Sequence, residues 1–290
     1  MLHKYISGCS MIKKSVSIFI LLMTGFISYG QKDNEYQVYA LKFNESGFMQ
    51  VRDIAVGTTI KDSVRVCNMF WFLQGTNGRN ILVDAGFIDS TKITDSHYER
   101  PDNVLKRINI SPSDITDIII THPHPDHIGG IVLFPDAKVW MQREDCCYFV
   151  GGAWQKNGSS MEFTGSDVRN IIEISLQGRL ELIEGDNIEI IPGIKVFTGS
   201  RHTWENQYLL VNPESKTNRI LIASDAIWFY FNLTNLLPIP TYTFDPKAYV
   251  EAMQRMKTMV TNPDYIVPGH DDLVFSKFPE VCKGVVKIGK

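Results

Sequence analysis

The first half of the chain alternates short apolar segments with turns. Positions in Tyr36–Phe43 alternate between apolar and polar residues, and Val64–Gln74 is rich in Val, Phe and Trp. Asn77-Gly78 is typical of a hairpin turn before the apolar run Asn80–Val83. Another apolar strand is predicted at Asp117–Thr121. Helices are predicted at Pro101–Ile108, Gln142–Val150 and Asp167–Leu176.

The second half repeats this pattern and closes with a helix and one more strand. Pro246–Val260 is predicted to be helical, and Asp264–Val267 is predicted to be the last strand. Four strands are predicted before them, at Ile188–Ile191, Lys195–Thr198, Gln207–Val211 and Arg219–Ala223. Strands that cluster in each half, with helices between them, predict an α/β protein of layered sheets covered by helices.

A different pattern occupies the N-terminus. Lys13 and Lys14 precede a mainly apolar run, Val16–Ile27, and the small residues Ser28 and Gly30 follow it. This order is typical of a secretory signal peptide. The run is shorter than the roughly 20 residues that span a bilayer, although an uncleaved membrane anchor remains the alternative.

These features predict a signal peptide over residues 1–30 and one exported domain over residues 31–290, periplasmic or secreted and without a stable membrane anchor.

The chain has 29 Lys and Arg residues against 32 Asp and Glu residues, a formal net charge of −3. Because it shows no basic stripe, we expect no nucleic-acid partner. The scattered cysteines do not predict a disulfide framework, and Cys146-Cys147 is expected to be a pair of buried thiols.

Three histidines and an aspartate follow directly on the predicted strand that ends at Thr121. His122 and His124 occupy alternate positions, so their side chains can reach one point. The chain then turns and presents Asp126 and His127, while the prolines between these residues keep the segment extended. Imidazole and carboxylate groups suit zinc, manganese or iron, so this cluster predicts a metal site.

Further polar residues stand where later predicted strands end. His202, Asp225 and His270 each follow an apolar strand, the usual position of a site in a layered α/β protein. Asp84 has the same placement and is suited to support a ligand imidazole through a hydrogen bond. His97 lies in a polar loop and is expected to be a surface residue.

The segment His122-Pro-His124-Pro-Asp126-His127 resembles the HxHxDH motif of the metallo-β-lactamase superfamily, and the resemblance extends from about Tyr36 to His270. It implies an αββα sandwich of two mixed β-sheets flanked by helices. It also implies two divalent metal ions, expected to be zinc, with manganese, iron and cobalt left open. By this resemblance one metal is held by His122, His124 and His202, the second by Asp126, His127 and His270, and Asp225 bridges them. Asp126 and Asp225 are implied to be catalytic as well.

Within the superfamily the chain is most similar to the N-acyl-homoserine lactonases. The β-lactamases proper have Cys where Asp225 stands, and the spacing from His202 through Asp225 to His270 is similar to that of the lactonases. This implies ring opening by a metal-bridging hydroxide, with Asp126 as proton shuttle. The sequence departs from the lactonase pattern at Trp228, where those enzymes have a Tyr.

The implied partner is a small-molecule substrate with an apolar tail. The aromatic segment Trp228–Phe244 and the predicted helix Asp167–Leu176 could form a wall for that tail, with ordinary core packing an equal alternative for the aromatic residues. The alternative function is another exported hydrolase of this fold, acting on a phosphodiester, an aryl ester or a thioester. A binding protein is disfavoured, because binding alone needs no water-activating site. The oligomeric state is left open.

Overall fold

Two β-sheets lie at the centre of the structure, a computed structural model that describes residues 35–88, 98–160 and 162–289. The predicted signal peptide and His97 lie outside the described residues. The strands of the described part are β1 (Tyr36–Gln50), β2 (Ser63–Gly75), β3 (Asn80–Val83), β4 (Asp117–Ile119), β5 (Lys138–Gln142), β6 (Leu180–Ile183), β7 (Ile188–Ile191), β8 (Ile194–Phe197), β9 (Tyr208–Val211), β10 (Ile220–Ser224), β11 (Ile266–Pro268), β12 (Glu280–Cys282) and β13 (Val285–Ile288). The α-helices are α1 (Val51–Ile54), α2 (Pro101–Lys106), α3 (Pro125–Ile128), α4 (Arg143–Val150), α5 (Gly165–Leu176), α6 (Tyr230–Asn235), α7 (Pro246–Met259) and α8 (Val274–Lys277). None of these described helices is long and apolar enough to cross a membrane.

Both sheets are mixed. The larger sheet has the strand order β12-β13-β1-β2-β3-β4-β5-β6. Its strands pair antiparallel from β12 to β3 and parallel from β3 to β6. The smaller sheet has the order β11-β10-β9-β8-β7 and is antiparallel except for the parallel pair β10 and β11.

Strand β2 shows why this sequence forms a sheet that is buried on both faces. Cys67, Met69 and Trp71 point into the core between the two sheets. Phe70 and Phe72 alternate with them and point into the core on the outer face. Because successive side chains of a strand point to opposite faces, a strand covered on both sides reads as an almost continuous apolar run.

Helices cover the outer face of each sheet. On the larger sheet the helical residues of the outer core are Val104 and Leu105 of α2, Phe149 of α4, and Ile171 and Ile174 of α5. On the smaller sheet, Tyr249, Met253 and Met256 of α7 pack with Leu221 and Ala223 of β10. The order helix, sheet, sheet, helix confirms the predicted αββα sandwich.

Some predicted elements were wrong. The segment predicted as the last strand begins as a 3₁₀ helix, Pro263–Tyr265, and only its second half belongs to a strand, β11. It is not the last strand, because β12 and β13 follow it. Strand β13 returns to the larger sheet and pairs with β1, so its partner lies at the other end of the sequence. Cys146 is buried as predicted, but Cys147 is exposed, because neighbouring residues of helix α4 point in different directions.

Candidate metal centre

The first two predicted ligands lie on the extended segment between β4 and α3. His124 has an extended backbone (φ −69°, ψ 149°), as expected for a residue before proline. The prediction that the prolines keep the segment extended holds only as far as His124. Pro125 instead begins helix α3, where its missing N–H has no helical partner to lose. The two imidazoles meet as predicted, with Nε2 of His122 3.0 Å from Nδ1 of His124.

His202 and Asp225 complete a first group around these imidazoles. Nε2 of His202 lies 3.1 Å from Nδ1 of His124 and 3.3 Å from Oδ2 of Asp225. The backbone N–H of His202 donates to the side chain of Asn206, which fixes the loop after β8. One ligand atom from each of these four buried residues lies within 4.8 Å of the others.

A second group shares Asp225 with the first. Helix α3 turns His127 toward Asp126, with Nε2 of His127 3.5 Å from Oδ2 of Asp126. His270, after β11, places its Nε2 3.7 Å from the same oxygen. Oδ1 of Asp225 lies 3.4 Å from Nε2 of His127, and Oδ2 lies 3.1 Å from Nε2 of His270. Asp225 therefore stands between the two groups.

The donor set fits two divalent cations. Nitrogen ligands of a tetrahedral zinc ion lie about 3.3 Å apart, close to the spacing of the imidazoles in the first group. In the second group, Nε2 of His127 and Oδ1 of Asp225 are buried and have no hydrogen-bond partner among the described residues. Buried polar atoms are rarely left unpaired, so a cation is a fitting partner for both. The ligand types alone do not distinguish zinc from manganese, iron or cobalt.

Asp84 supports the imidazoles, as predicted. Its Oδ2 accepts a hydrogen bond from Nδ1 of His127 over 2.8 Å, and its Oδ1 accepts the backbone N–H of Thr121 over 2.8 Å. The hydroxyl of Thr121 lies 3.0 Å from Nδ1 of His122, and Ser224 donates to Oδ2 of Asp84. This buried network links both metal groups to one carboxylate, which orients the rings.

Two further residues position metal ligands, and the sequence analysis did not identify either of them. Asn68 donates from Nδ2 to Oδ2 of Asp126 over 2.8 Å. Asp145 of α4 accepts the hydroxyl of Thr203 over 2.7 Å and the backbone N–H of Glu205 over 3.1 Å, so it braces the loop that carries His202. Asp145 lies shortly after strand β5, the same kind of position that identified the other site residues, whereas nothing local marked Asn68.

The second metal group also depends on a glycine. A Cβ atom on Gly269 would lie 2.3 Å from Oδ1 of Asp225 and 2.9 Å from the backbone of Ser224. Real Cβ atoms do not approach other atoms this closely, so any other residue would displace Asp225 or His270. Steric crowding therefore explains why glycine precedes His270.

The two groups differ in their electrostatics. Burial alone would lower the pKa of His127 and His270, but the carboxylates beside them raise both pKa values, so a metal ion there would displace a proton from each ring. In the first group His122 and His124 already favour the neutral form. Burial lowers the pKa of His124 to about 3 and holds that of His122 well below its usual value. Burial alone would raise the pKa of Asp225, but His270 and His127 beside it hold that pKa well below its usual range. Neutral imidazoles and ionised carboxylates are the forms that coordinate metal ions.

A cavity of about 270 Å³ opens beside the two groups. It is lined by Met49, Val66, Asn68, His124, Pro125, Asp126, Glu162, Asp225, Trp228, Tyr242 and His270. A second cavity of about 630 Å³ adjoins it and shares Asn68, Pro125, Asp126 and Glu162. The metal groups therefore face a cleft with two arms.

Part of the predicted wall is present in this cleft. Trp228 lines the smaller cavity and stacks on Tyr242, with ring centroids 5.9 Å apart. Tyr230 does not line it, because its ring packs in the core between the sheets and its hydroxyl donates to the backbone of Asp264.

The prediction that helix α5 forms a wall for an apolar tail was wrong. Helix α5 presents Ser166 and Asp167 from its first turn to the larger cavity. Its apolar residues Ile171 and Ile174 pack instead on the larger sheet. The apolar stripe of the helix serves the core, so its contribution to the cleft is polar.

Two His/Asp groups that share one aspartate, at one end of an αββα sandwich, define a metal-dependent hydrolase. A profile of the metallo-beta-lactamase superfamily matches residues 64–270, and the chain belongs to this superfamily.

The curated relatives and solved structures agree with this assignment. An N-acyl homoserine lactonase of a Bacillus species is 27% identical over 254 residues, which cover 81% of this chain and 94% of the relative. A lactonase of the same description from Bacillus cereus is 26% identical over 217 residues, covering 69% and 80%. The predicted similarity to the lactonases is thereby confirmed.

Two solved structures confirm the fold. A quorum-quenching N-acyl homoserine lactone hydrolase has a TM-score of 0.66 at 22% identity, covering 84% of this chain and 96% of that one. AidC, described as a dizinc quorum-quenching lactonase in complex with a product, has a TM-score of 0.61 at 14% identity, covering 89% and 98%.

Proposed function

We propose that this protein hydrolyses the lactone ring of N-acyl-homoserine lactones. The observation that carries the proposal is the position of the two metal groups, which open onto a cavity whose wall includes the apolar side chains of Met49, Val66 and Trp228. A polar reacting end beside an apolar wall suits a lactone ring that carries an acyl tail. The lactonase relatives, at 27% and 26% identity, support the same substrate class.

Seven side chains would hold two divalent metal ions, expected to be zinc. His122, His124 and His202 would hold one ion, and Asp126, His127 and His270 would hold the other. Asp225, which stands between the two groups, would serve both. When bound, such ions lower the pKa of a water molecule and polarise a carbonyl oxygen.

The two carboxylates of the site would have different tasks. The Asp126 side chain is 26% exposed and lines the cavity, whereas the Asp225 side chain is 2% exposed. Asp126 is therefore placed to take a proton from the attacking water and to return it to the ring oxygen as the ester C–O bond breaks. Asn68 holds this carboxylate in position during the transfer. The products are an alcohol and a carboxylic acid, which ionises.

Acid release at constant pH tests this proposal. Purified protein with added zinc should release acid from a long-chain N-acyl-homoserine lactone, and a chelator should stop it. His202→Ala should reduce turnover at least about 1000-fold, because the first metal group loses one of its imidazoles. Its metal content, measured by mass spectrometry, should fall as well. Asp136→Ala, at an exposed position away from the cleft, is the matched control.

Two results would contradict the proposal. Full activity and metal content in His202→Ala would refute the assigned ligands. Protein that carries two metals but releases no acid from the lactone would refute the substrate. Hydrolysis of bis(4-nitrophenyl) phosphate, an aryl ester or a thioester in the same assay would then identify the alternative hydrolase.

We also propose that the protein is exported after removal of residues 1–30. Three features support this proposal: the pair Lys13 and Lys14, the apolar run Val16–Ile27, and small residues three positions and one position before Gln31. N-terminal sequencing of protein recovered from the periplasm or the medium should begin at Gln31. Recovery of the intact N-terminus in the membrane fraction would favour an uncleaved anchor instead.

A further inference from the structure

The wall between the two arms of the cleft carries a carboxylate that the metal groups do not use. Glu162 lines both cavities. The hydroxyl of Tyr242 donates to Oε1 of Glu162 over 2.8 Å, and Tyr242 itself stacks on Trp228. The backbone of Glu162 (φ +72°) and that of Tyr242 (φ +56°) are both left-handed. This conformation is uncommon for residues other than glycine and is found at functional sites.

Apart from the metal ions that Asp126 and Asp225 would help to hold, the described side chains that line the cleft carry charge of one sign. The lining includes four carboxylates, Asp126, Glu162, Asp167 and Asp225, and no Lys or Arg among the described residues. Asp126 and Asp225 belong to the metal groups, and Asp167 is buried and accepts the hydroxyl of Thr164. Glu162 is exposed, and no described cation forms an ion pair with it. Its negative charge therefore faces whatever enters the cleft.

We propose that Glu162 makes this site select by charge, admitting uncharged carbonyl substrates and disfavouring anions. The inference deepens the proposed function, because ring opening converts an uncharged lactone into a carboxylate with the same tail. Glu162 then acts on substrate and product differently, repelling the acid and shortening its stay in the cleft. Tyr242 is a positioning residue that holds the Glu162 carboxylate at the mouth of the smaller cavity.

Two probes that differ only in charge test this proposal without turnover. N-decanoyl-homoserine carries a carboxylate, and its primary amide is neutral. Their dissociation constants for the zinc-loaded protein are measured by quenching of tryptophan fluorescence, since Trp228 lines the cavity. The comparison uses the wild type, the isosteric variant Glu162→Gln, and Glu173→Gln as control. Glu173 is exposed on α5 and lines neither cavity.

Glu162→Gln should tighten binding of the carboxylate about fivefold and change binding of the amide by less than about twofold. In 0.5 M NaCl the gain should shrink, because salt screens exposed charges. Glu173→Gln should change neither probe. Tyr242→Phe should give a smaller gain than Glu162→Gln, because it frees the carboxylate without removing its charge.

Unchanged carboxylate binding in Glu162→Gln, an equal change for both probes, or no measurable binding of either probe would each overturn the proposal. The result is independent of the lactonase assay, because neither probe contains a ring to open. Charge selectivity without acid release from lactones would refute the proposed function and leave this inference intact. Acid release without charge selectivity would refute this inference and leave the proposed function intact.

Discussion

The buried metal centre and the exposed rim of the cleft are held together in different ways. In the centre, Asp84 and Thr121 bind the rings of His127 and His122 through a closed set of hydrogen bonds. At the rim, Trp228 stacks on Tyr242, and one hydrogen bond joins Tyr242 to the exposed Glu162. The half-buried Trp228 ring also lies edge-on against the ligands His202 and His270.

This difference separates the chemistry from the choice of substrate. A change in the buried network leaves polar groups without partners, which costs stability and misplaces the ligands. A change at the rim alters shape or charge but removes no hydrogen-bond partner of a ligand. The departure from the lactonase pattern at Trp228 lies at the rim, so the metal groups are complete although the wall differs.

Among changes that leave all seven ligands present, the largest effect is expected from breaking the buried network at its centre. Asp84→Asn replaces an acceptor of several hydrogen bonds by an amide whose N–H groups face other donors. We expect metal affinity to fall about 10- to 100-fold, as is usual for supports of metal-binding histidines. Competition with a chromogenic chelator measures the dissociation constant, and Asp136→Asn is the control. An affinity within about twofold of the wild type would show that the network does not orient the ligands.

A smaller effect is expected at Asp145, which braces the His202 loop. Burial raises the pKa of Asp145 to about 7. An aspartate whose pKa is higher in the folded state binds its proton more tightly there, so stability falls as pH rises from about 4 to about 7 and is constant above that range. An asparagine side chain does not titrate, so Asp145→Asn should remove this loss.

Urea unfolding of the two metal-free proteins tests this prediction. Between about pH 5 and about pH 8 the free energy of unfolding of the wild type should fall relative to that of Asp145→Asn by on the order of 2 kcal/mol. Comparing the two proteins cancels the other titrating groups. Parallel pH profiles would mean that Asp145 has an ordinary pKa in the folded protein.

The smallest effect is expected at the rim. Trp228→Ala removes apolar surface from the cavity wall, so the KM for a long-chain lactone should rise by up to about tenfold while kcat and metal content stay close to the wild type. A short-chain lactone should be affected less. Trp154→Ala, which removes an indole outside the cleft, is the control. A large fall in kcat with unchanged KM would mean that Trp228 contributes to the reaction itself, which would contradict the separation of chemistry from choice of substrate.

The sequence by itself determined the layers of the fold and the seven candidate ligands. The strands could be predicted because apolar residues fill positions on both faces of a covered sheet, as in β2. The metal cluster could be predicted because four candidate ligands stand within one short segment. The other three, His202, Asp225 and His270, each follow an apolar strand.

Only the tertiary structure decided which distant residues serve these ligands and the cleft. Asn68 reaches Asp126, and Tyr242 reaches Glu162, across long separations that no local pattern records. The same holds for β13, whose short run becomes a strand because β1 offers it an edge. Helix α5 shows the physical reason most clearly. The sequence suggested this helix as a wall for an apolar tail, but its apolar face packs on the sheet and its polar first turn lines the cleft.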